Sequence, residues 1–261
     1  MKDLLSYSNV GTGAVVVLLH GFCESKALWK EFEKPLLQNY QIITPDLPGH
    51  GESKINAEQI TSIEYMADKV YELLTSLGIV ECILIGHSLG GYVTLAFAEK
   101  YPTLLKGFGL FHASAFEDSE AKKQNRNKTI DFIQKHGMAQ FAASFTSPLF
   151  YHKNRQRLSP EIERMQTICR NTPAETAIAT TAAMRDRKER IGVLKQANVP
   201  VLFLAGKEDN AVPLKTSLEQ CYLPKEHTVI FLEETGHMGM FEKKEVAQEG
   251  IIHFLEEIYK S

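Results

Sequence analysis

The sequence predicts an α/β domain with a mostly parallel central sheet flanked by helices and interrupted by one helical insertion. Three observations predict it. Short β-branched, apolar runs recur between Gly and Pro residues; stretches with apolar residues at three- and four-residue steps separate them; and no such run occurs between residues 113 and 192. Strands that are apolar on both faces imply a parallel sheet covered by helices on each side.

The elements follow in chain order. Ala14-Val15-Val16-Val17-Leu18-Leu19 reads as a buried strand ended by His20-Gly21, and residues 24–37 read as helical. Gln41-Ile42-Ile43-Thr44 is a second strand, broken by the Pro- and Gly-rich turn Pro45-Asp46-Leu47-Pro48-Gly49-His50-Gly51. Thr61-Ser62-Ile63-Glu64 has the form of a capping box, and Ile63, Met66, Val70, Leu73, Leu74 and Leu77 then keep helical spacing until Gly78. Strand Cys82–Ile85, a helix from Leu89 to Tyr101 and a strand from Phe108 to Phe111 continue the alternation. The insertion holds helical stretches at Ser119–His136, Pro160–Arg170 and Pro173–Met184. Strand Val201–Leu204, a helix from Pro213, strand Thr228–Leu232 and helix Glu245–Tyr259 complete the order. Residues 1–112 and 193–261 therefore form one core, and residues 113–192 a helical cap.

Composition excludes several classes. Of 261 residues, 44% are apolar and 23% charged, with a net charge of -3, values of a folded globular chain and not a disordered one. No apolar run approaches the ~20 residues of a membrane helix, and a slightly acidic chain does not advertise nucleic-acid binding, so neither partner is expected. The first nine residues hold no apolar signal core, and Cys23, Cys82, Cys169 and Cys221 are widely spaced without a C-x-x-C pair. A reducing, cytoplasmic setting is expected. Gly11-Thr12-Gly13 precedes a strand instead of following one, and no phosphate-binding loop motif occurs, so no cofactor is expected.

Gly86-His87-Ser88-Leu89-Gly90 matches G-x-S-x-G between a predicted strand and a predicted helix, the context that motif requires. A sharp strand-to-helix turn holds such a serine in a strained conformation, and Gly86 and Gly90 remove side chains that would collide. A serine hydroxyl is a weak nucleophile and needs a base with an orienting carboxylate behind it. Asp209, after strand Val201–Leu204, and His237, after strand Thr228–Leu232, stand in the expected order at strand C-termini, where ligands bind in open α/β sheets. Glu208 competes with Asp209; His227 and His253 lie in the wrong places. The oxyanion of acyl transfer needs N–H donors, for which the backbone of Leu89 at the helix start and of Phe22 after His20-Gly21 are the candidates.

With these motifs in view, the chain resembles the α/β-hydrolase superfamily, in its small single-domain group with a helical cap that includes bacterial esterases. The resemblance spans nearly the whole chain through His20-Gly21-Phe22, Asp46–Gly51, Gly86–Gly91, Gly206–Asp209 and Gly236-His237. It implies an α/β-hydrolase fold with Ser88 as nucleophile, Asp209 as acid and His237 as base. Relatives that open epoxides or remove halides carry Asp at the elbow, so Ser88 excludes those activities, and in this family His50 and Glu52 belong to a turn without a catalytic role. The leading expectation is an ester hydrolase acting on a small molecule. Carbon–carbon bond hydrolysis, cofactor-free perhydrolase or haloperoxidase chemistry, and a slow-turnover receptor are the alternatives.

Substrate contacts are less determined. Phe141, Phe145 and Met184 of the cap are expected at the acyl site; Trp29 at the entrance, bracing the cap or simply packed; His112 at the active edge as a contact or a structural group; and Met238 beside the base. Cys23 is read as packing and His87 as the elbow's variable position. Residues 113–192 carry 14 Lys+Arg and 9 Asp+Glu, about +5, against about -8 elsewhere, and all eight arginines lie there. Solvated faces and cap-to-core ion pairs explain this, or the cap draws in an anionic substrate, with Arg185–Arg190 the first stretch to consider.

Overall fold

The structure, a computed structural model, describes residues 4–259. Strands β1 (Tyr7–Val10), β2 (Ala14–Leu19), β3 (Tyr40–Pro45), β4 (Cys82–His87), β5 (Leu105–Phe111), β6 (Val201–Gly206) and β7 (His227–Leu232) form one sheet in the order β1-β3-β2-β4-β5-β6-β7. All neighbours are parallel except β1, which pairs antiparallel to β3. Period-two alternation sends Val17 and Leu19 to one buried cluster and Val16 and Leu18 to another, so helices cover both faces. The expectation of an α/β-hydrolase fold with a helical insertion is met.

The helices are α1 (Ile63–Ser76), α2 (Leu89–Lys100), α3 (Glu120–Phe145), α4 (Ser159–Asn171), α5 (Ala174–Arg185), α6 (Ile191–Lys195), α7 (Leu214–Gln220), α8 (Gly239–Glu242) and α9 (Lys244–Tyr259). Among the described residues, no helix is long and apolar enough to cross a membrane.

Several local readings are corrected. Residues 24–37 hold only short 3-10 turns at Lys26–Leu28 and Leu36–Gln38. Leu28, Trp29, Phe32 and Leu36 keep the apolar spacing of a helix and are buried, but Pro35 has no N–H to continue one and the Lys26 N–H is diverted to Asp46 Oδ1 at 2.7 Å. β1 escaped because Tyr-Ser-Asn-Val carries no apolar run and gains its ladder from β3. Ser62, not Thr61, caps α1, its Oγ accepting the Tyr65 N–H at 3.1 Å. α3 runs past His136 to Phe145, turning at Gly137, whose φ of 74° and ψ of 172° redirect the second half of the helix.

The insertion carries α3, α4 and α5, and its arginines tie it down. Arg187 is buried against Asp118, Nη1 2.8 Å from Oδ1, with its guanidinium 4.0 Å from the Tyr92 ring centre on α2. Arg190 pairs with Glu64 and, at 3.2 Å, with Glu99. Arg185 holds Asp186 and Asn127, Arg126 holds Asp118, and Arg155, Arg157 and Arg164 donate to the carbonyls of Phe150, Glu242 and Ala27. Removing one partner of a buried pair leaves the other charge uncompensated. Arg187→Ala is expected to lower the unfolding free energy by about 3–5 kcal/mol in urea titrations, whereas the more exposed Arg126→Ala is expected to cost about 1 kcal/mol or less.

Candidate active site

β2 and β4 are neighbours, with Leu19 opposite Gly86, while β3 lies on the outer side of β2 and β5 on the outer side of β4. The chain therefore leaves these two strands in opposite directions, the topological position at whose carboxyl ends open α/β sheets bind ligands. Ser88 sits there with φ 51° and ψ -113°, a left-handed conformation costly for a residue with a side chain. Its own N–H donates to the Phe111 carbonyl at 2.9 Å. A Cβ on Gly86 would stand 2.1 Å from the Gly90 carbonyl oxygen, and one on Gly90 would stand 2.7 Å from the Leu19 and His20 carbonyl oxygens. Only glycine fits at either place. Ser88 is half-buried between fully buried His87 and Leu89, and α2 begins at Leu89, so its N–H lies in the first turn, at the positive end of the helix.

The loop after β2 is held from two sides. His20 Nε2 accepts the Leu47 N–H at 2.9 Å, which leaves Nδ1–H to donate to the Gly21 carbonyl at 2.8 Å. Burial lowers the His20 pKa despite the nearby Asp46 carboxylate, consistent with this neutral form. Because a trans peptide points its C=O and N–H in opposite directions, anchoring the Gly21 carbonyl aims the Phe22 N–H the other way. The Phe22 ring meets Phe145 edge-on at 5.7 Å and Phe141 at 6.1 Å, and those two rings stack at 4.8 Å.

Asp209 and His237 come together across 28 residues of sequence, with His237 Nδ1–H donating to Asp209 Oδ2 at 2.7 Å. Asp209 Oδ1 accepts the N–H groups of Ala211 and Val212 at 2.8 and 2.9 Å. Burial opposes ionisation of Asp209, but the charge interaction with His237 and hydrogen bonds from His112 and His237 outweigh it, holding the carboxyl well below the usual carboxylate range. Glu208 is exposed and does not compete. The loop bearing His237 is fixed through its backbone: the His237 N–H donates to the Leu149 carbonyl at 2.7 Å, and Glu242 Oε1 accepts the Gly236 and Met238 N–H groups at 3.0 and 3.2 Å. With Nδ1 committed to Asp209, Nε2 is the ring nitrogen left to exchange protons.

The remaining predicted contacts divide. Phe141, Phe145 and Met184 pack in the cluster that contains Phe22. Trp29 and Met238 are fully buried in the opposite-face cluster, Trp29 against Phe32 and Phe111, so neither lines an entrance. His112 is likewise buried, behind Asp209: its Nε2 accepts the Gly239 N–H at 3.2 Å, which in the neutral ring leaves the proton on Nδ1, 3.2 Å from Asp209 Oδ2 and 3.2 Å from the Gly206 nitrogen. Burial pushes its pKa down to about 4, so it stays neutral and gives Asp209 a second imidazole donor. His112, Asp209 and His237 place three donor atoms within 4.8 Å, but both imidazoles spend a proton on the same carboxylate oxygen, which makes the set a hydrogen-bond network. Sequence reasoning missed Glu24, Glu242 and the contacts of His87; nothing local marks them, since each acts on backbone or side chains distant in sequence.

The chain belongs to the alpha/beta hydrolase fold family, which it matches over residues 14–244. Among its relatives is Lipase 1 of Psychrobacter immobilis, 25% identical over 255 residues that cover 92% of this chain and 77% of the lipase. Its structure is similar to that of a thermophilic esterase from Thermogutta terrifontis solved with malate bound, with TM-score 0.92, 28% identity, and 97% and 93% of the two chains covered. The fold is shared with the enol-lactonase of Burkholderia xenovorans, with TM-score 0.89, 19% identity and 96% of each chain covered.

The depressed Asp209 pKa sets a sign. Its stabilisation is complete above about pH 4, the unfolded carboxylate value, and is lost as the pH falls through the lower folded value. Asp209→Asn is expected to flatten the fall in urea midpoint below pH 4 relative to the wild type.

Proposed function

We propose that this protein is a serine hydrolase of small carboxylic esters, forming an acyl-enzyme on Ser88 with His237 as general base and Asp209 as orienting acid. The observation that carries the reading is the conjunction of a left-handed Ser88 at a helix start with a His237 whose Nδ1 is locked 2.7 Å from a buried, ionised Asp209. The lipase and esterase among the relatives support the same class.

In this mechanism the ester carbonyl oxygen lies against the Phe22 and Leu89 N–H groups. Ser88 Oγ attacks the carbonyl carbon as its proton passes to His237 Nε2, and Asp209 remains ionised and stabilises the imidazolium. The tetrahedral oxyanion gains most from N–H donors already in place, worth about 2.7–4 kcal/mol each when removed. Collapse breaks the bond to the alkoxy group, which leaves as an alcohol with the proton from His237. Water then gives a proton to His237 and attacks the acyl carbon, releasing the carboxylic acid and restoring the Ser88 hydroxyl. The aromatic wall of Phe141 and Phe145 beside Phe22 favours an apolar acyl chain at this site.

Fluorophosphonate labelling and a panel of activated esters of graded acyl length test the proposal against Ser88→Ala. The wild type is expected to label and to hydrolyse short esters, with kcat lowered roughly 10⁶-fold in Ser88→Ala and roughly 10⁴-fold in Asp209→Asn. A wild type that neither labels nor exceeds Ser88→Ala on any ester refutes it. Labelling without ester turnover moves the assignment to carbon–carbon or peroxyacid chemistry.

A further inference from the structure

We infer that Glu24 and His87 form a buried ion pair, carboxylate against imidazolium, whose task is to hold the oxyanion loop, the elbow and the base loop in one register. This rests on the serine-hydrolase reading for its catalytic consequence, but the charge state of the pair stands apart from it. Both are positioning residues: neither touches the reacting atoms, and each acts through a backbone neighbour.

The charge state follows from what the ring faces. His87 Nδ1 lies 3.0 Å from Glu24 Oε2, and Nε2 lies 2.9 Å from the His237 carbonyl oxygen. The carbonyl oxygen can only accept, and so can Glu24 in the carboxylate form that its bond from the Gly21 N–H favours. A neutral imidazole has one N–H, so one ring nitrogen would point its lone pair at an oxygen's lone pair; the imidazolium donates at both. The side chains are 1% and 4% exposed, so solvent does not replace either bond. Glu24 Oε2 also accepts the Gly21 N–H at 2.6 Å. A Cβ on Gly21 would stand 2.8 Å from both Glu24 Oε2 and His87 Nδ1, so the pair occupies the space that a side chain there would need.

Other charged and titratable groups face the ring. The His237 ring centre is 5.0 Å away and that of His112 6.0 Å, while neutral His20 flanks the pair on the loop side. Burial disfavours the charged His87, but the Glu24 carboxylate, the His237 carbonyl and the more distant Asp209 outweigh it and raise the pKa. In Glu24 burial is likewise outweighed, by His87 above all, and the pKa is lowered.

The consequence lies in the connectivity. Phe22 follows Gly21, Ser88 follows His87, and His237 supplies the carbonyl that His87 holds, so one ion pair is within a residue of the oxyanion donor, the nucleophile and the base. The contacts span 63 and 150 residues of sequence and tie through side chains three loops whose strands the sheet brings only into neighbouring positions. Small misalignments of reacting groups lower the rate of the chemical step, to about 100-fold for a shift near 1 Å, and leave ground-state binding largely intact.

Long-range ¹H–¹⁵N correlation spectra of the full chain carrying ¹⁵N-histidine test the charge state. An imidazolium with both ring nitrogens protonated is expected to persist at pH 8 and to vanish in Glu24→Gln and in His87→Gln. In a folded Glu24→Gln, checked by circular dichroism, kcat on an activated ester is expected to fall about 10- to 100-fold with KM within about twofold, and fluorophosphonate labelling to slow in parallel. A wild-type spectrum without that imidazolium overturns the proposal even if neither variant folds. So does a Glu24→Gln enzyme that keeps kcat, or one that raises KM alone. If the wild type shows the imidazolium but does not label, the hydrolase reading fails and the ion pair stands.

Discussion

One backbone conformation organises the carboxyl edge of the sheet: the left-handed turn at Ser88, with φ 51°. It is unfavourable by itself and persists because its surroundings leave the chain no alternative. β4 is clamped between β2 and β5, α2 is buried along nearly its whole length, and Gly86 and Gly90 permit the strand, the helix and the end of β2 to approach within contact distance. The turn lifts Ser88 out of the core, half-buried, between neighbours that are fully enclosed. Everything else at the site is positioned relative to it.

Three buried carboxylates do much of that positioning, and each is satisfied in the same manner. Asp209 accepts from two backbone N–H groups and two imidazoles, Glu24 from the Gly21 N–H and His87, and Glu242 from the N–H groups of Gly236, Met238 and Tyr151 and from Asn154. A carboxylate taken from water without such donors would lose several kcal/mol. With them it becomes a fixed point on which loops far apart in sequence converge. Preorganisation of this kind places dipoles and hydrogen bonds before substrate arrives, which is where the electrostatic part of catalysis originates.

The insertion is joined to the core by the same physics. Some of its positive charge pairs with core carboxylates, as Arg190 does with Glu64 and Glu99, and other guanidinium groups bond carbonyls of the core segments, such as Arg164 on Ala27 and Arg157 on Glu242. Phe150, Leu158, Ile162 and Met165 enter the cluster that holds Trp29, while Phe141 and Met184 join the one that holds Phe22. The insertion thus contributes to both buried clusters, and its Phe141 and Phe145 rings pack against Phe22 in the loop after β2.

What the residues determined by themselves was whatever depends on local pattern. The apolar runs that became β2 to β7, the helices α1, α2, α4, α5 and α9, the insertion, and the placement of Ser88, Asp209 and His237 at strand ends all follow from hydrophobic period and turn chemistry, which act over a few neighbouring residues. Where a tertiary contact competed with local preference, the pattern misled. Residues 24–37 have helical spacing, yet Asp46 and Pro35 turn them into isolated turns; Tyr7–Val10 lacks strand character, yet β3 makes it a strand. Tertiary structure alone decided that Trp29 and Met238 are fully enclosed in the cluster that holds Phe111, that His112 backs Asp209, and that His87 with Glu24 joins three loops. The reason is physical: hydrophobic period is written along the chain, whereas the charge state and partner of a buried polar group depend on which distant donors and acceptors the packed fold brings within 3 Å of it.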